Sequence, residues 1–474
     1  MPLLTDYPEI VKSYAPFFEN LFTPEGYRHF RRLVSGFLFG KNHTLEGINR
    51  LFAFDISNQS SLNRFVNRQN FSLSLLNQRR VEMMQNCSVT AMNEEGILGV
   101  DGSLLHHYGT KFDEIANMWD HVTKSYGPAH ELVTLYYSHN EIDYPLEYCL
   151  WQPPDWDVVA DQVRALGLVV NEEHFQARYE KRQKWYTYMR TRYRSAELKH
   201  RKLRQSYKTK IHLAEDLLRR HLEAYPRCNL PLVMDSGFAS NQFCRMVSEE
   251  LKLSYVADIK ATQVIYQSGG RKISLAEFIN QLRASHNVVT KENPAGKPSF
   301  KKVSYHYRGK KKTVYAYAGV HRLGSYDKKQ KIIIQYAKEE LWGEPRISVT
   351  NELGWYASKI LRIRRLRWPI ETYHQEAKVQ GLESYQVRNK KAIETHIAFV
   401  VVAYTMLTKA SRDEAVLKRL REHTRKGVDI TLPYMRRLLE SGALWALVEY
   451  LYLNAQQGRP MAEVVKPLMS SIVY

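Results

Sequence analysis

The amino-acid sequence predicts a multidomain α/β protein of 474 residues with helical, mixed and β-rich stretches. About 85 residues at the start carry helical periodicity and no convincing strand. Runs rich in β-branched and aromatic residues begin near residue 96 and predict strands. After Gly354 the pattern is again helical. A chain of this length suits about three domains.

Composition indicates a folded protein with a polyanionic partner. Hydrophobic residues make up 44% of the chain, which excludes a disordered protein. Lys and Arg number 69 against 49 Asp and Glu, giving a net charge of +20. Such an excess causes self-repulsion in a compact state and is typical of proteins that bind nucleic acid. Nucleic acid is therefore the predicted partner, and an ordinary basic cytosolic protein is the alternative.

Cysteine spacing and apolar runs bear on location. The four cysteines lie far apart without CxxC spacing, so neither a zinc site nor a disulfide framework is predicted. The longest apolar run, 397–407, is shorter than the ~20 residues that cross a bilayer and predicts a buried core helix. The first residues lack the features of a secretion signal. We expect a soluble protein of the bacterial cytoplasm or of a nucleus, with no membrane partner.

Residues 1–90 are predicted to form a helical DNA-binding domain. Two short amphipathic helices joined by a polar turn make residues 44–68 a helix-turn-helix candidate. Ser57, Asn58 and Ser60 are each suitable caps for the second helix. Arg64 and Arg68 would then face outward towards DNA. An ordinary small helical bundle explains the same pattern.

Residues 91–260 are predicted to form the first part of an α/β core that contains a basic helical segment, 156–221. Between residues 178 and 210 there are 13 Lys or Arg and two acids, interleaved with aromatic residues. Cations that contact phosphates and aromatics that pack or stack would suit DNA. The alternative is the solvated face of a long surface helix.

The rest of the chain divides into three predicted parts. Residues 261–345 form a β-rich insertion with a hairpin around a basic turn at 308–312. Residues 346–410 complete the core. Residues 411–474 form a helical region whose amphipathic leucine spacing suits dimerisation or docking on the core.

Two aspartates follow apolar strand-like runs. Asp101 follows residues 97–100 and Asp235 follows residues 232–234, and each precedes small residues. Carboxylates at the carboxyl ends of buried strands lie where ligands gather, and desolvation there requires a cation or hydrogen-bond donors. A single such residue is commonly a turn or cap residue. Two of them, with a third carboxylate, predict a hard-cation site.

The third carboxylate is Glu371. Pro369 suits the first turn of a helix, where its missing N–H costs nothing, and Glu371 then lies near the positive helix end. Arg367 precedes Glu371 by four residues, and Lys378 follows it by seven, two helical turns along one face.

The order of these motifs resembles the DDE transposases of bacterial insertion sequences, in the branch with a Tyr-Arg-Glu-Lys signature. Arg367, Glu371 and Lys378 match that signature, whereas Arg364 stands where it has its tyrosine. Asp101 in Val-Asp-Gly-Ser and Asp235 in Met-Asp-Ser-Gly-Phe are similar to the other two acidic motifs.

The resemblance implies an RNase H-like catalytic core interrupted by the β-rich insertion. It implies that Asp101, Asp235 and Glu371 bind two Mg²⁺ ions, for which Mn²⁺ can substitute. The implied reaction is cleavage at the terminal inverted repeats and strand transfer by a cut-and-paste route, with a DNA hairpin as one possible product of the first steps. The implied partner is double-stranded DNA, both transposon ends and target DNA, bound by a synaptic homodimer. The resemblance to bacterial proteins also implies a cytoplasmic, nucleoid-associated location.

The resemblance also implies DNA contacts. Arg367, Lys378 and the residue at Arg364 would lie at phosphates, and an aromatic residue of the insertion would stack on a flipped base. Trp342 is placed for that role, and a tryptophan packed at the root of the insertion is the alternative.

Two other classes of protein share parts of this pattern. A catalytically silent DNA-binding protein or repressor derived from a transposase would not need all three acids. An RNase H-like nuclease acting on other nucleic acids would be expected to lack the Arg367 and Lys378 spacing and the insertion.

Overall fold

The computed structural model has a mixed α/β architecture with a large sheet, which confirms the predicted class at that level. It describes residues 3–39, 42–55, 58–170, 182–205, 207–286, 296–324, 326–421 and 430–470. The predicted cap Ser57 and the part of the basic segment at 171–181 lie outside these residues.

The bounds of the elements are as follows, within the described residues. The α-helices are α1 (Glu9–Tyr14), α2 (Pro24–Phe39), α3 (Leu45–Asn49), α4 (Gln59–Arg68), α5 (Leu73–Gln85), α6 (Trp156–Ala165), α7 (Arg182–Glu197), α8 (Lys210–Ala224), α9 (Asn241–Arg245), α10 (Leu275–Ala284), α11 (Ala357–Arg365), α12 (Pro369–Val379), α13 (Lys390–Ala410), α14 (Glu414–Leu420), α15 (Leu432–Gln456) and α16 (Met461–Ser470). The strands are β1 (Ile97–His106), β2 (Ala116–Asp120), β3 (Ser125–Ser138), β4 (Asp143–Trp151), β5 (Leu232–Met234), β6 (Tyr255–Asp258), β7 (Val264–Tyr266), β8 (Lys272–Ser274), β9 (Lys301–Tyr307), β10 (Lys310–Leu323), β11 (Gln330–Tyr336) and β12 (Arg346–Thr350). None of these helices is long and apolar enough to cross a membrane.

The chain forms two compact units. The first comprises Met1–Asp101, Leu135–Glu147 and Arg227–Tyr474, and the second comprises Gly102–Thr134 and Tyr148–Pro226. In the first unit β1 and β6 pair with β5 in parallel, and β12 pairs with β6 in antiparallel orientation. The strands β12, β11, β10 and β9 then pair in succession, each antiparallel to the next.

Helix α11 packs its apolar face on this sheet. Ile360, Leu361 and Ile363 are buried on α11, and Leu366 follows directly after it. Their cluster includes one buried residue from each of several strands: Ile97, Val233, Val256 and Ile333. Burial of branched apolar side chains from both elements stabilises the contact, by about 1.5–3 kcal/mol for each fully buried side chain. The segment after α11 is therefore held close to the sheet.

The N-terminal helices pack around α13, which is buried along most of its length, as predicted for residues 397–407. Phe30, Phe65 and Phe71 place their rings 5.6, 5.9 and 5.6 Å from the ring of Phe399. The buried guanidinium of Arg80 on α5 donates to the carbonyl oxygens of residues 145 and 146 at 2.6 and 2.8 Å. Aromatic packing and these charge-assisted hydrogen bonds join the N-terminal helices to the rest of the first unit.

The helix-turn-helix candidate contains two helices, α3 and α4, as predicted. Thr44 caps α3, and the side chain of Asn58 caps α4 by accepting from the backbone N–H of Ser60. Arg64 and Arg68 are exposed on α4, while Leu62 and Val66 on its opposite face are buried. The amphipathic pattern therefore gave the correct faces of this helix.

The second unit has a small aromatic core of its own. Trp185 and Tyr193 on α7 are buried with Val159 and Val163 of α6, and Tyr207 packs against them. These aromatic residues of the basic segment therefore pack inside the unit and do not provide exposed stacking surfaces. Exposed cations cover its outside: Arg190, Arg192, Arg194, Lys199, Arg201, Lys202, Lys208 and Lys210.

The structure corrects three local predictions. The basic hairpin turn contains two residues, Arg308 and Gly309, both left-handed (φ 48° and 72°), so residues 310–312 belong to β10. The β-rich stretch contains the helix α10, which Ser274 caps and which the apolar spacing of Leu275, Phe278 and Ile279 indicates. The five-residue strands β2 and β12 were not predicted, although the alternation of polar and β-branched residues in β12 is a strand signal.

Candidate active site

Three aspartates lie side by side at one edge of the sheet. The parallel register aligns Val100 with Met234, and Met234 with Ala257. The next residue in each strand is an aspartate: Asp101, Asp235 and Asp258. Carboxyl ends of adjacent parallel strands form a common edge where ligands bind. The structure thus brings Asp101 and Asp235 together, and it adds an acid that the sequence analysis did not select.

Asp101 does not end its strand as predicted, because β1 continues to His106. The predicted edge nevertheless exists, since β5 pairs only with residues 98–100 of β1. Beyond that point β1 has lost its parallel neighbour. Asp101 therefore follows the last residue paired with β5, in the same position that Asp235 has after β5.

The turn after β5 orients Asp235. Its Oδ1 accepts from the backbone N–H groups of Gly237 and Phe238 at 2.9 and 3.2 Å. A Cβ atom at residue 237 would lie 3.1 Å from this oxygen, so glycine keeps the turn close to the carboxylate. No N–H or O–H group of the described residues is bonded to Oδ2. One oxygen of Asp235 is thus held by the backbone while the other is open to a ligand.

Glu371 joins this edge through Arg367. Pro369 begins α12 and Glu371 lies in its first turn, as predicted. The guanidinium of Arg367 donates to Asp101 Oδ2 at 2.9 Å and to Glu371 Oε1 at 2.6 Å. The side chain of Arg367 is 16% exposed, which makes these charge-assisted contacts stronger than surface ion pairs. Residues distant in sequence are therefore joined by one guanidinium.

The charge of this site is reflected in the pKa of Arg367. Burial acts to lower this pKa, but nearby carboxylates outweigh burial and raise it. The acids responsible are, in descending order of effect, Asp101, Glu371, Asp235 and Asp258. All four negative charges thus act on a single cation.

Asp258 has a guanidinium partner of its own. Arg364 donates from Nε to Oδ1 of Asp258 at 2.7 Å and from Nη2 to Oδ2 at 2.6 Å. The hydroxyl of Ser348 on β12 donates to Oδ1 at 2.7 Å. Asp258 comes directly after the short apolar run 255–257, as the two predicted aspartates come after theirs, so the same sequence signal could have identified it. The side chain of Arg364, which is 15% exposed, is engaged in this pair.

Lys378 lies two turns after Glu371 on α12 and pairs with Glu383 at 3.2 Å. Glu376, on the same helix, pairs with Arg436 of α15 at 3.0 Å. His374 is buried between these positions. Its burial leaves this side chain away from solvent, so it is not placed to contact DNA directly.

Two exposed aromatic residues belong to segments of the chain that lead to this edge. Trp342 is 72% exposed in the loop before β12, and β12 begins beside the end of β6, where Ser348 aligns with Asp258. Trp342 is therefore not packed at the root of the insertion. Trp368, which precedes α12, is 45% exposed, and its ring lies 5.1 Å from the guanidinium of Arg365. The sequence analysis did not select Trp368.

The donor atoms suit a hard cation, although a guanidinium already compensates two of them. Carboxylate oxygens are the ligands that Mg²⁺ prefers. Within the described ranges, no three His, Cys, Asp or Glu side chains form a ready-made metal site. Arg367 lies between Asp101 and Glu371 and supplies positive charge there. The residues therefore fit divalent cations in chemistry and topology, provided that Arg367 moves away from its two acids.

The chain matches two protein families. Residues 16–275, more than half of the chain, match the family described as DDE superfamily endonuclease. Residues 202–406 match the family described as transposase DDE domain. No curated protein matches the chain.

The buried histidine of α12 gives a testable pH dependence. Burial lowers the pKa of His374 to about 3, and the charges of Lys378 and Arg367 act in the same direction. Because its pKa in the unfolded chain is about 6.5, the unfolded state binds a proton first as the pH falls. Stability is therefore lost below about pH 6.5, by about 1.4 kcal/mol per pH unit. We expect His374→Asn to reduce the stability lost between pH 7 and pH 5 by about 2 kcal/mol.

Urea unfolding followed by tryptophan fluorescence at the two pH values measures this difference. Gln375→Asn, on the exposed face of the same helix, controls for asparagine in this position of the chain. Equal losses of stability in the parent and in His374→Asn would contradict the prediction.

Proposed function

Because the chain belongs to the DDE superfamily endonucleases and is a DDE transposase that acts on DNA, we propose that Asp101, Asp235 and Glu371 are its catalytic carboxylates. The observation that carries this proposal is the guanidinium of Arg367, which joins Asp101 to Glu371 beside Asp235. Three acids from separate parts of the sequence are thereby concentrated at one strand edge.

We propose that the first unit contains an RNase H-like core. The strand order supports this assignment, since β4, β3, β1, β5 and β6 are successive neighbours. The β-rich stretch that follows β6 is then an insertion before β12, and it includes the helix α10. The Tyr-Arg-Glu-Lys branch of transposases remains the proposed subgroup, because Arg367 and Lys378 keep its spacing to Glu371.

DDE enzymes generally use divalent metal ions, and Asp101, Asp235 and Glu371 would hold two Mg²⁺ here, with Mn²⁺ able to substitute. Bound ions would supply a water nucleophile and charge for the leaving 3′ oxygen. In the structure Asp101 and Glu371 share Arg367, so this side chain has to leave them to admit cations. We propose that Arg367 and Lys378 exchange their carboxylate partners for phosphates of the DNA.

The proposed reaction is cleavage at the terminal inverted repeats of an insertion sequence, followed by strand transfer by a cut-and-paste route. The freed 3′-OH would attack the opposite strand, forming a hairpin, or target DNA. A catalytically silent repressor is not favoured, because it would have no need to retain the three acids and the arginine that joins two of them.

We propose two further DNA-binding surfaces. The first is the exposed face of α4 with Arg64 and Arg68, whose opposite face packs on the core. The second is the cationic outside of the second unit, where side chains such as Arg190 and Arg194 are exposed while the aromatic residues are buried in the core. Both provide the phosphate contacts that dominate affinity for DNA.

We also propose that the protein acts as a homodimer on two DNA ends and is associated with the nucleoid. Exposed apolar side chains on α15 support the dimer: Leu444, Trp445, Val448 and Tyr452. Sedimentation velocity with end-bearing DNA counts the chains in each complex directly.

Loss of any one carboxylate should abolish cleavage. Asp101→Asn, Asp235→Asn and Glu371→Gln each keep the shape of the side chain but remove its charge. We expect each to lower the rate of Mg²⁺-dependent cleavage of end-bearing DNA at least about a hundredfold, equivalent to about 2.7 kcal/mol in the barrier. Binding of the DNA should persist or strengthen, because negative charge near phosphate is removed.

The matched control is Glu376→Gln on the same helix as Glu371. Glu376 pairs with Arg436, so this variant should cleave at the parental rate. Gel assays of single-turnover cleavage measure all four variants. Parental rates in the three carboxylate variants would refute the proposed site.

Trp342 is expected to stack on a flipped base. Stacking of a base on an aromatic side chain contributes about 1–3 kcal/mol. Trp342→Ala should therefore slow attack on the second strand about tenfold or more, while Trp342→Phe restores much of the rate. The first nick should change little. A prenicked DNA substrate isolates the second step, and an unchanged rate in Trp342→Ala would contradict the role.

Arg64 and Arg68 are expected to contact phosphates of the DNA end. Each phosphate contact contributes about 0.9 to the slope of log affinity against log salt concentration. Arg64→Ala and Arg68→Ala should each weaken binding and reduce this slope by about 1. Fluorescence anisotropy over a range of KCl concentrations measures it. Arg79→Ala, an exposed arginine on α5, is the control expected to keep the parental slope.

A further inference from the structure

We propose that Asp258 and Arg364 form a positioning pair that holds Arg367 and Glu371 against the carboxylate edge of the sheet. This inference rests on the proposed catalytic role of Asp101, Asp235 and Glu371. It assigns to Asp258 and Arg364 neither the binding of a metal ion nor a contact with DNA.

Asp258 lies in line with the two proposed catalytic aspartates. Because Ala257 aligns with Met234, Asp258 is the third aspartate in the row, on the far side of Asp235 from Asp101. Its side chain is 22% exposed and that of Arg364 is 15% exposed. Two parallel N–H···O contacts at 2.7 and 2.6 Å join them. A bidentate pair at this depth fixes both the distance and the orientation of its partners.

Arg364 anchors the segment that contains Arg367 and leads to Glu371. It lies in the last turn of α11, and Arg367 follows it by three residues in the connection to α12. Arg364 attaches this segment to the end of β6, while Arg367 attaches it to β1 through Asp101. The segment therefore has one guanidinium contact on each side of Asp235. Without the contact to β6, the segment would keep the apolar packing of α11, but its only guanidinium contact to the sheet would be that of Arg367, the residue that has to change partners during the proposed reaction.

Both carboxylate oxygens of Asp258 accept hydrogen bonds from the protein. Oδ1 accepts from Arg364 and from Ser348, and Oδ2 accepts from Arg364. Both oxygens are thus occupied by donors of the protein, in contrast to Oδ2 of Asp235. Arg364 also occupies the position where the related signature has a tyrosine. An arginine suits this position because the carboxylate of Asp258 lies opposite it.

The experiment compares Asp258→Asn, Arg364→Gln and the double variant with the parent. Mn²⁺ binding without DNA is measured by electron paramagnetic resonance, binding of end DNA by anisotropy, and cleavage by single-turnover assays at saturating DNA and Mg²⁺. Arg364→Lys, which keeps the charge but loses the bidentate geometry, tests for partial rescue. Circular dichroism and thermal melting confirm that each variant is folded.

If Asp258 and Arg364 act as a positioning pair, removing either side chain should have the same effect. We expect both single variants to weaken Mn²⁺ binding several-fold and to slow cleavage about 10–100-fold, the range for residues that orient ligands. Affinity for end DNA should stay within about twofold, because no phosphate contact is lost. The double variant should be no worse than either single variant, since both remove one interaction. Arg364→Lys should recover part of the rate.

Three results would overturn the proposal. If Asp258 were a metal ligand, Asp258→Asn would weaken Mn²⁺ binding while Arg364→Gln, by releasing Asp258, would strengthen it. If Arg364 contacted phosphate, Arg364→Gln alone would weaken DNA binding and lower its salt dependence. Additive losses in the double variant would likewise refute a shared role.

Glu371→Gln, assayed in parallel, separates this inference from the proposed function. An inactive Glu371→Gln together with parental behaviour of Asp258→Asn and Arg364→Gln would refute the pair alone. Parental cleavage by Glu371→Gln would refute the catalytic site itself, whatever the other variants do.

Discussion

Three carboxylates at the ends of three adjacent parallel strands repel one another unless positive charge lies between them. The register of β1, β5 and β6 creates this condition, because it aligns Asp101, Asp235 and Asp258. Compensating charge comes from one short stretch of chain, the end of α11 and its connection to α12. Positive charge on this stretch therefore offsets the repulsion between the aspartates, and Glu371 is brought to the edge with it.

Hydrophobic packing lowers the free-energy cost of this arrangement. The apolar side of α11 is buried on residues of β1, β5, β6 and β11, which places the helix on the sheet, while the ion pairs orient the chain at its end. The arginines then need to order only their own side chains, and less entropy opposes the ion pairs. Their partial burial strengthens the interaction with the carboxylates relative to pairs in water. The hydrophobic contact and the ion pairs thus support each other.

Sequence patterns predicted the elements of this site better than its connections. Asp101 and Asp235 were found from their strand context, and Glu371 from the proline and the basic residues around it. The resemblance to DDE transposases is confirmed by the matched families. Asp258 has the same strand context but was not selected, because its partner Arg364 lies 106 residues away and the register that joins them is a property of the folded sheet. The partner of Arg367 in the protein could not be predicted either, since a guanidinium suits carboxylate and phosphate equally.

The two arginines differ in what their release would cost. Arg367 is shared between two acids that would each gain a cation in the proposed reaction, so its departure leaves neither acid uncompensated. Arg364 is matched to a single carboxylate whose oxygens are already filled by protein donors. Removing it would leave a partly buried charge without a partner, which is costly. Charge balance therefore favours Arg367 as the side chain that exchanges partners and Arg364 as the one that stays. A site that has to admit cations and phosphates while keeping its geometry requires one arginine of each kind.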